Sequence, residues 1–398
     1  MTVRAEPRDM WFYPGAIEDD LRGVDLPQEV IAETLACAWE YSRCVIPAFT
    51  NWDRYIAFTR IIVIGVVAEF RGHLVDVTAA GALLGYDLDE LLDTVFEGTP
   101  GHAEMVREYR AFLLITADKS GTARDSELFH RYVNALVQSP ANWFRMRDCD
   151  ALARFTMAAA MACNDIDDIR FDEEEFQILT ELGDTLYDAI AYYKHRAEGE
   201  TNSTFAYIGA DLRNDCYRLH REVLWALDVA WARLPGRQPV INFLRYFGGP
   251  IHMMMRRYRF IEDDLTIGMP ETDRVVAQTR RNVKLWNRLD ATGNPVRDTR
   301  YENAIARSDE LMFPGLADML ESSADDHCEH CQYRLSYGAE AAGRFGGVEL
   351  CDRCRGAWRI YASTFANRAA DVFPELRHRF TPVRAGARRP SARPEHVH

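Results

Sequence analysis

No stretch of this sequence is long and apolar enough to cross a bilayer. The most apolar run, IIVIGVVAEF from Ile61, falls well short of the roughly 20 residues that a spanning helix needs. The opening MTVRAEPRDMWFYPG lacks an apolar core of signal-peptide length, so the reading is a cytoplasmic protein with no stable membrane insertion. Basic charge is also short: 47 Lys and Arg stand against 61 Asp and Glu, a formal net charge of -14. That balance argues against a nucleic-acid partner, because phosphate backbones call for a basic surface. Strand-like alternation is scarce and no internal repeat is present. Nor is there a secreted disulfide framework. Of the nine cysteines, Cys37, Cys44, Cys149, Cys163 and Cys216 are scattered through helical patterns, and the other four are clustered near the C-terminal end.

What is present suffices for a large core: 398 residues, 47% hydrophobic and 11% aromatic. Residues 1–25 mix Pro, Gly and charge and read as an irregular arm packing across the body. From 26 to 320 the apolar spacing is helical in segments such as PQEVIAETLACAWEYSRCVI, RYIAFTRIIVIGVVAEF, DALARFTMAAAMAC, EEFQILTELGDTLYDAIAYYKH and CYRLHREVLWALDVAWARL. Turn clusters such as EGTPGH, LPGRQP and ATGNP separate them. The pattern predicts an all-α bundle. Residues 321–378 form a Cys-rich module with a short β-like piece, GGVEL, and the basic residues 379–398 read as a disordered tail.

Several stretches carry candidate chemistry. In NDCYRLHRE, Asn214, Arg218 and Glu222 fall at i, i+4 and i+8, and Asp215 and Arg221 lie alongside. In AEFRGHLVD, Glu69, His73 and Asp76 fall at i, i+4 and i+7, three metal-capable side chains on one helical stripe after an apolar helix. A solvated face with local ion pairs is the plain alternative for each. Arg170 sits amid the acidic run NDIDDIRFDEEEF, Arg256 and Arg257 in HMMMRRYRF, and Arg300 and Tyr301 in DTRYENA. Guanidinium groups in that number are what a diphosphate requires, and oxygen ligands on two helices suit magnesium.

Cys328, Cys331, Cys351 and Cys354 have the spacing C-x2-C-x19-C-x2-C, which suits a tetrahedral four-thiolate zinc site. Four thiolates leave no open position for substrate, so the zinc is structural, with His327 and His330 adjoining the first knuckle.

The order of motifs resembles that of class I terpene cyclases. NDCYRLHRE is similar to their second metal-binding motif, with Arg218 where a hydroxyl ligand is usual, and AEFRGHLVD stands where their aspartate-rich motif is expected. Longer blocks, TLACAWEYSRCVIPAFTNWDRY, FEGTPGHAEMVREY, FLLITADK, NWFRMRDCDALARFT and GGPIHMMMRRYRFIEDDLTIG, resemble the non-canonical fungal sesquiterpene cyclases of abscisic acid biosynthesis, the α-ionylideneethane synthases. The resemblance runs from about residue 10 to 365 and implies a class I cyclase-like helical bundle. It implies farnesyl diphosphate as substrate, magnesium-assisted ionisation, proton loss to an acyclic polyene, and reprotonation that closes a six-membered ring.

On that basis the expected magnesium ligands are Glu69, Asp76, Asn214 and Glu222, and the expected catalytic residues are Glu69, His73, Arg170 and Arg218. The expected diphosphate contacts are Arg170, Arg218, Arg221, Arg256, Arg257, Arg300 and Tyr301. Trp52, Phe58, Trp143, Phe144, Tyr207 and Trp225 are candidates for an aromatic wall facing a carbocation, with plain core as the alternative for each. A homodimer is expected by analogy with class I cyclases. Three readings compete with this one: a different sesquiterpene from the same substrate, a diphosphate hydrolase, and a non-enzymatic helical scaffold whose zinc knuckle binds a partner.

Overall fold

The computed structural model describes residues 11–79, 81–120, 126–198, 200–255, 299–324, 328–334 and 345–380. The helices run in chain order as α1 (Gln28–Val45), α2 (Trp52–Phe70), α3 (Leu88–Phe96), α4 (His102–Ser120), α5 (Glu127–Leu136), α6 (Pro140–Ala151), α7 (Ala153–Ala162), α8 (Glu173–Glu198) and α9 (Thr204–Ile208). They continue as α10 (Arg213–Trp231), α11 (Gln238–Phe247), α12 (Ile251–Met254), α13 (Arg300–Ala306), α14 (Ser308–Leu311) and α15 (Leu316–Ser322). A two-stranded antiparallel hairpin, β1 (Gln332–Arg334) and β2 (Gly347–Glu349), then leads to α16 (Asp352–Ser363), α17 (Phe365–Val372) and α18 (Arg377–Phe380). The expected all-α class stands, and GGVEL supplies β2. No helix among the described residues is long and apolar enough to cross a membrane. Residues 381–398, the body of the basic tail, lie outside the described residues, as do Arg256, Arg257 and His327.

Local chemistry explains the helix boundaries that position the site. Asn51 caps α2 by accepting from the Arg54 N–H, Ser126 caps α5 from the Phe129 N–H, and Ser139 caps α6 ahead of Pro140 in the first turn. DALARFTMAAAMAC reads as one helix in sequence, but the chain breaks at Leu152, which takes φ 54° between α6 and α7. The break has a cause in the buried Asp148, whose carboxylate accepts from the Arg154 N–H at 2.8 Å and caps α7. Burying Asp148 also recruits Arg145 and the Arg154 side chain, which in turn meets Glu173 at the start of α8.

The core is one continuous apolar cluster that includes α2, α4, α6, α8 and α11. α2 lies between α1, α3 and α4, and α8 packs against α6, α10, α11 and α17. Close approach depends on small residues. Gly65 admits the Phe112 ring and Gly183 admits Leu244 and Phe247. The N-terminal arm from Trp11 onward lies against α2, where Arg60 holds Asp20 at 2.9 Å and the Ala16 carbonyl at 2.9 Å, and Ile17 is buried.

Candidate functional site

The motif NDCYRLHRE begins α10, and its charges face outward. Asn214, Asp215, Arg218, Arg221 and Glu222 are all exposed. The inward stripe is the complementary one: Cys216, His220, Val223, Leu224, Leu227 and Trp231 face the core. His220 stacks on Phe365 at 3.9 Å between ring centroids, and its Nδ1 lies 2.7 Å from the Cys216 carbonyl. Arg218 pairs with Asp215 at 2.9 Å, a solvated i, i+3 pair of small energetic weight.

The stretch AEFRGHLVD departs from its expected geometry. α2 ends at Phe70, so Glu69, His73 and Asp76 do not share one helical stripe. Residues 72–74 form a short 3-10 turn that lies against α4 so closely that a Cβ on Gly72 would fall 2.1 Å from the Ala117 carbonyl oxygen. His73 and Asp76 are exposed and Glu69 is half-buried. Asp76 accepts from the Thr78 N–H at 3.0 Å and hydroxyl at 2.6 Å. Its partial desolvation would raise its pKa, but these bonds and the charge of Arg300 outweigh that and hold it below the usual carboxylate range.

Through Arg300 this corner joins a buried network that sequence reasoning missed. Arg300, the first residue of α13, pairs with Asp118 at 2.7 Å, and the Ser126 hydroxyl donates to the same carboxylate at 3.0 Å. Asp118 is fully buried near the end of α4. Its neighbour Lys119 pairs with Asp150 of α6, Asp150 with Arg147 at 2.9 Å, and Arg147 with Asp188 of α8 at 2.8 Å. Asp188 accepts from the Thr204 N–H at 2.7 Å and hydroxyl at 2.8 Å. A chain of alternating charges therefore crosses the interior from α13 to the start of α9.

Burial alone would depress Arg147, but Asp188, Asp184 and Asp150 around it overcome that and keep the guanidinium charged. Desolvation holds His195 neutral, well below its ordinary range, and takes His252 to about 3. The charges of this network sit in FLLITADK, NWFRMRDCD and TELGDTLYDA, interleaved with the apolar residues of their helices, a pattern that by itself does not separate a buried charge from a solvated one.

The other expected residues scatter. Arg170 is half-exposed, paired with Glu104 beside a small apolar cleft that includes Phe96, Met105 and Phe171. Arg131 lies over the Tyr301 ring at 4.4 Å. Among the aromatic candidates, Trp52 and Trp225 are exposed, so neither lines an interior wall. Phe58, Trp143, Phe144 and Tyr207 are buried.

The four clustered cysteines do converge. Their Sγ atoms lie within 4.8 Å of one another, with Cys328 and Cys351 at 3.9 Å. Tetrahedral bonds of about 2.3 Å give S···S edges of about 3.8 Å, so the thiols fit a four-thiolate metal centre. The Cys351 N–H donates to Cys331 Sγ at 3.4 Å, and His330 is exposed. Among the described residues no other group of three or more His, Cys, Asp or Glu has metal-holding geometry. The knuckle also touches the buried network through one intermediary, the segment 200–204. Gly346 donates to the Glu200 carbonyl at 3.1 Å, and Gly347, at φ 78°, lies so close that a Cβ would meet Tyr207 Oη at 2.6 Å. Trp358 of α16 stacks on Tyr207 at 5.1 Å and lies 5.9 Å from Trp143.

Comparison with known proteins supplies the class. The family model described as alpha-ionylideneethane synthase aba3 matches residues 9–375. A protein of that name from Botryotinia fuckeliana strain B05.10 is 65% identical over 376 residues, covering 94% of this chain and 86% of its own length. Alpha-ionylideneethane synthase abl3 of Leptosphaeria maculans is 58% identical over 371 residues, covering 93% of this chain and 87% of its own. Its counterpart from Pyricularia oryzae is 51% identical over 431 residues, covering 92% and 83%. An enzyme of the sesquiterpene synthase class is thereby defined. The chain belongs to the α-ionylideneethane synthase family.

Proposed function

We propose that this enzyme ionises farnesyl diphosphate with magnesium and carries it through an acyclic polyene to a monocyclic hydrocarbon, α-ionylideneethane. The observation that carries this reading is the buried charge chain from Arg300 and Asp118 to Asp188. Fixed cations and carboxylates sealed from water can stabilise charge that develops as an allylic diphosphate departs, and the apolar helices around them keep water from quenching a carbocation.

The four expected magnesium ligands divide. Asn214 and Glu222 lie on the outer face of α10, which packs on α8, α11 and α17, whereas the turn after Glu69 packs on α2 and α4. Asp76 and Asp118 both face Arg300 and form no three-carboxylate set with Glu69. Magnesium is commonly held by one or two carboxylates, with substrate phosphate and water completing its shell, and we assign the ion to this corner, where Glu69 on the preceding turn is a further oxygen donor. A magnesium ion there would neutralise charge on the leaving diphosphate. Arg300, about one-fifth exposed at the edge of the network, offers the leaving group a guanidinium, and Tyr301 fixes the start of α13 beneath Arg131. His73, exposed on the same turn, orients a carboxylate or a water there.

The cysteine cluster holds a structural zinc and fastens the C-terminal segment to the bundle. Five buried free thiols, Cys37, Cys44, Cys149, Cys163 and Cys216, suit the reducing cytoplasm.

The deciding experiment is incubation of the purified protein with farnesyl diphosphate, with magnesium and with excess chelator, following hydrocarbons by gas chromatography with mass spectrometry and diphosphate release in parallel. A monocyclic hydrocarbon formed only with magnesium is the expected result. Release of diphosphate with no ring-containing product would leave only the ionisation step, and no turnover of any prenyl diphosphate would remove the reading.

A further inference from the structure

We propose that Asp184 is the acid that protonates the acyclic polyene and so starts ring closure, an inference that rests on the reaction course proposed above. Asp184 lies in the middle of α8, one turn ahead of Asp188, with its side chain fully buried. Neither of its carboxyl oxygens has a hydrogen-bond partner. Buried carboxylates in folded proteins are almost always hydrogen-bonded or paired, and the others around it are. Asp148 holds Arg154 and Arg145, Asp150 holds Lys119 and Arg147, Asp188 holds Arg147 and Thr204, and Glu181 holds Arg368.

An ionised carboxylate at such a position is costly, whereas a neutral carboxylic acid is far less so. Burial drives the Asp184 pKa well above the ordinary range. Arg147 opposes this and the nearby carboxylates Asp148, Asp188 and Asp150 push the same way as burial, so the environment favours the neutral acid over the carboxylate. Polar atoms without protein partners gather at this end of the network. Ser203 Oγ and Asn202 Oδ1, on the segment that hydrogen-bonds Asp188, are buried and unsatisfied, as is Thr185 Oγ1 beside Asp184 itself. Unsatisfied interior groups of this kind call for an explanation, and a catalytic role or a bound water or ligand is among the few that serve.

The chemistry closes without another reagent. Diphosphate carries away the proton lost in forming the polyene. The Asp184 hydroxyl proton then passes to a carbon of one double bond, whose π pair becomes the new C–H bond, and the O–H pair stays on Asp184 as a carboxylate. The resulting cation takes the π pair of a second double bond, which forms the ring C–C bond. The ring cation loses a proton, and the Asp184 carboxylate takes it back. Arg147 stands close enough to stabilise that carboxylate in the interval.

The test is Asp184→Asn, which keeps the shape and removes the transferable proton, assayed with farnesyl diphosphate and magnesium. The expected result is diphosphate release within about threefold of the parent and a fall of about 50-fold or more in the cyclic share of product, replaced by acyclic hydrocarbon (~2.3 kcal/mol in the partition). An unchanged or higher Tm is expected as well, because one neutral group replaces another. Asp184→Glu keeps a proton and is expected to restore part of the ring closure. Cyclic product at the parental share in D184N overturns the proposal. So does loss of diphosphate release at unchanged Tm, which would assign Asp184 to ionisation. If D184N does not fold, D184E decides: a shift towards acyclic product supports the role, and the parental product ratio overturns it. Parent enzyme equilibrated in D2O before substrate is added, and read in its first turnover before the ring proton returns to Asp184, should place deuterium in the cyclic product; ring closure without it would overturn the reaction course, and the proposal with it, whatever the variants do.

Discussion

At the scale of the residue, the structure separates charges that are buried from charges that are merely present. Glu222 is exposed, so Glu222→Gln is expected to leave turnover within about twofold, whereas Asp118→Asn, at a fully buried partner of Arg300, should cost about 100-fold or more. Steady-state assay of the two variants side by side checks this, and the reverse order would return the site to α10. Arg147→Ala would strand Asp150 and Asp188 without their shared cation. Breaking a buried pair in this way costs about 3–5 kcal/mol, read as a lower denaturation midpoint.

The buried imidazoles predict the acid response. His220 and His252 titrate near 3 when folded, because burial opposes their charged form, against about 6.5 unfolded. A depressed histidine means that the unfolded state binds the extra proton first. Stability is then complete above about pH 6.5 and lost as pH falls towards 3, by up to about 1.4 kcal/mol per pH unit for each histidine. Urea titrations at pH 7 and pH 5 should show the loss, and His220→Gln should lessen it.

At the scale of the element, three placements shape the proposed site. α2 must stop at Phe70, residues 72–74 must lie flat on α4, and Asp148 must turn the chain between α6 and α7. Gly72 carries the second of these. Gly72→Ala places a methyl group against the Ala117 carbonyl, so a loss of several kcal/mol is expected unless α2 and α4 part. Thermal melts together with turnover would check it, both falling in one variant. The helices themselves were legible from period and caps. Their ends and facing were less so, because AEFRGHLVD and NDCYRLHRE look equally helical and equally charged on paper. The first stops being a helix at its second charge, and the second turns its charges to solvent because Cys216, His220 and Val223 are claimed by the core.

At the scale of the whole molecule, the cysteine knuckle and the buried network are mechanically joined. The hairpin fixes Glu200 and Tyr207, and four residues after Glu200 the backbone of Thr204 holds Asp188. Cys354→Ser is expected to bind less than one zinc per chain by elemental analysis and to lower the Tm by several degrees. Turnover should decline through disorder at 200–204, while the dependence on magnesium is unchanged. A variant with zinc lost and Tm unaltered would make the knuckle dispensable to the fold.

The sequence by itself determined the all-α class, the four-cysteine cluster and the family, since periodicity, close-spaced ligands and long blocks that resemble a family are all local along the chain. Only the tertiary structure decided which charges are buried and paired. Asp118, Lys119, Arg147, Asp150, Asp184 and Asp188 lie on three helices far apart in sequence, and nothing local distinguishes them from solvated charges. Packing does, because it removes water from around them, and only there does pairing become a matter of a few ångströms.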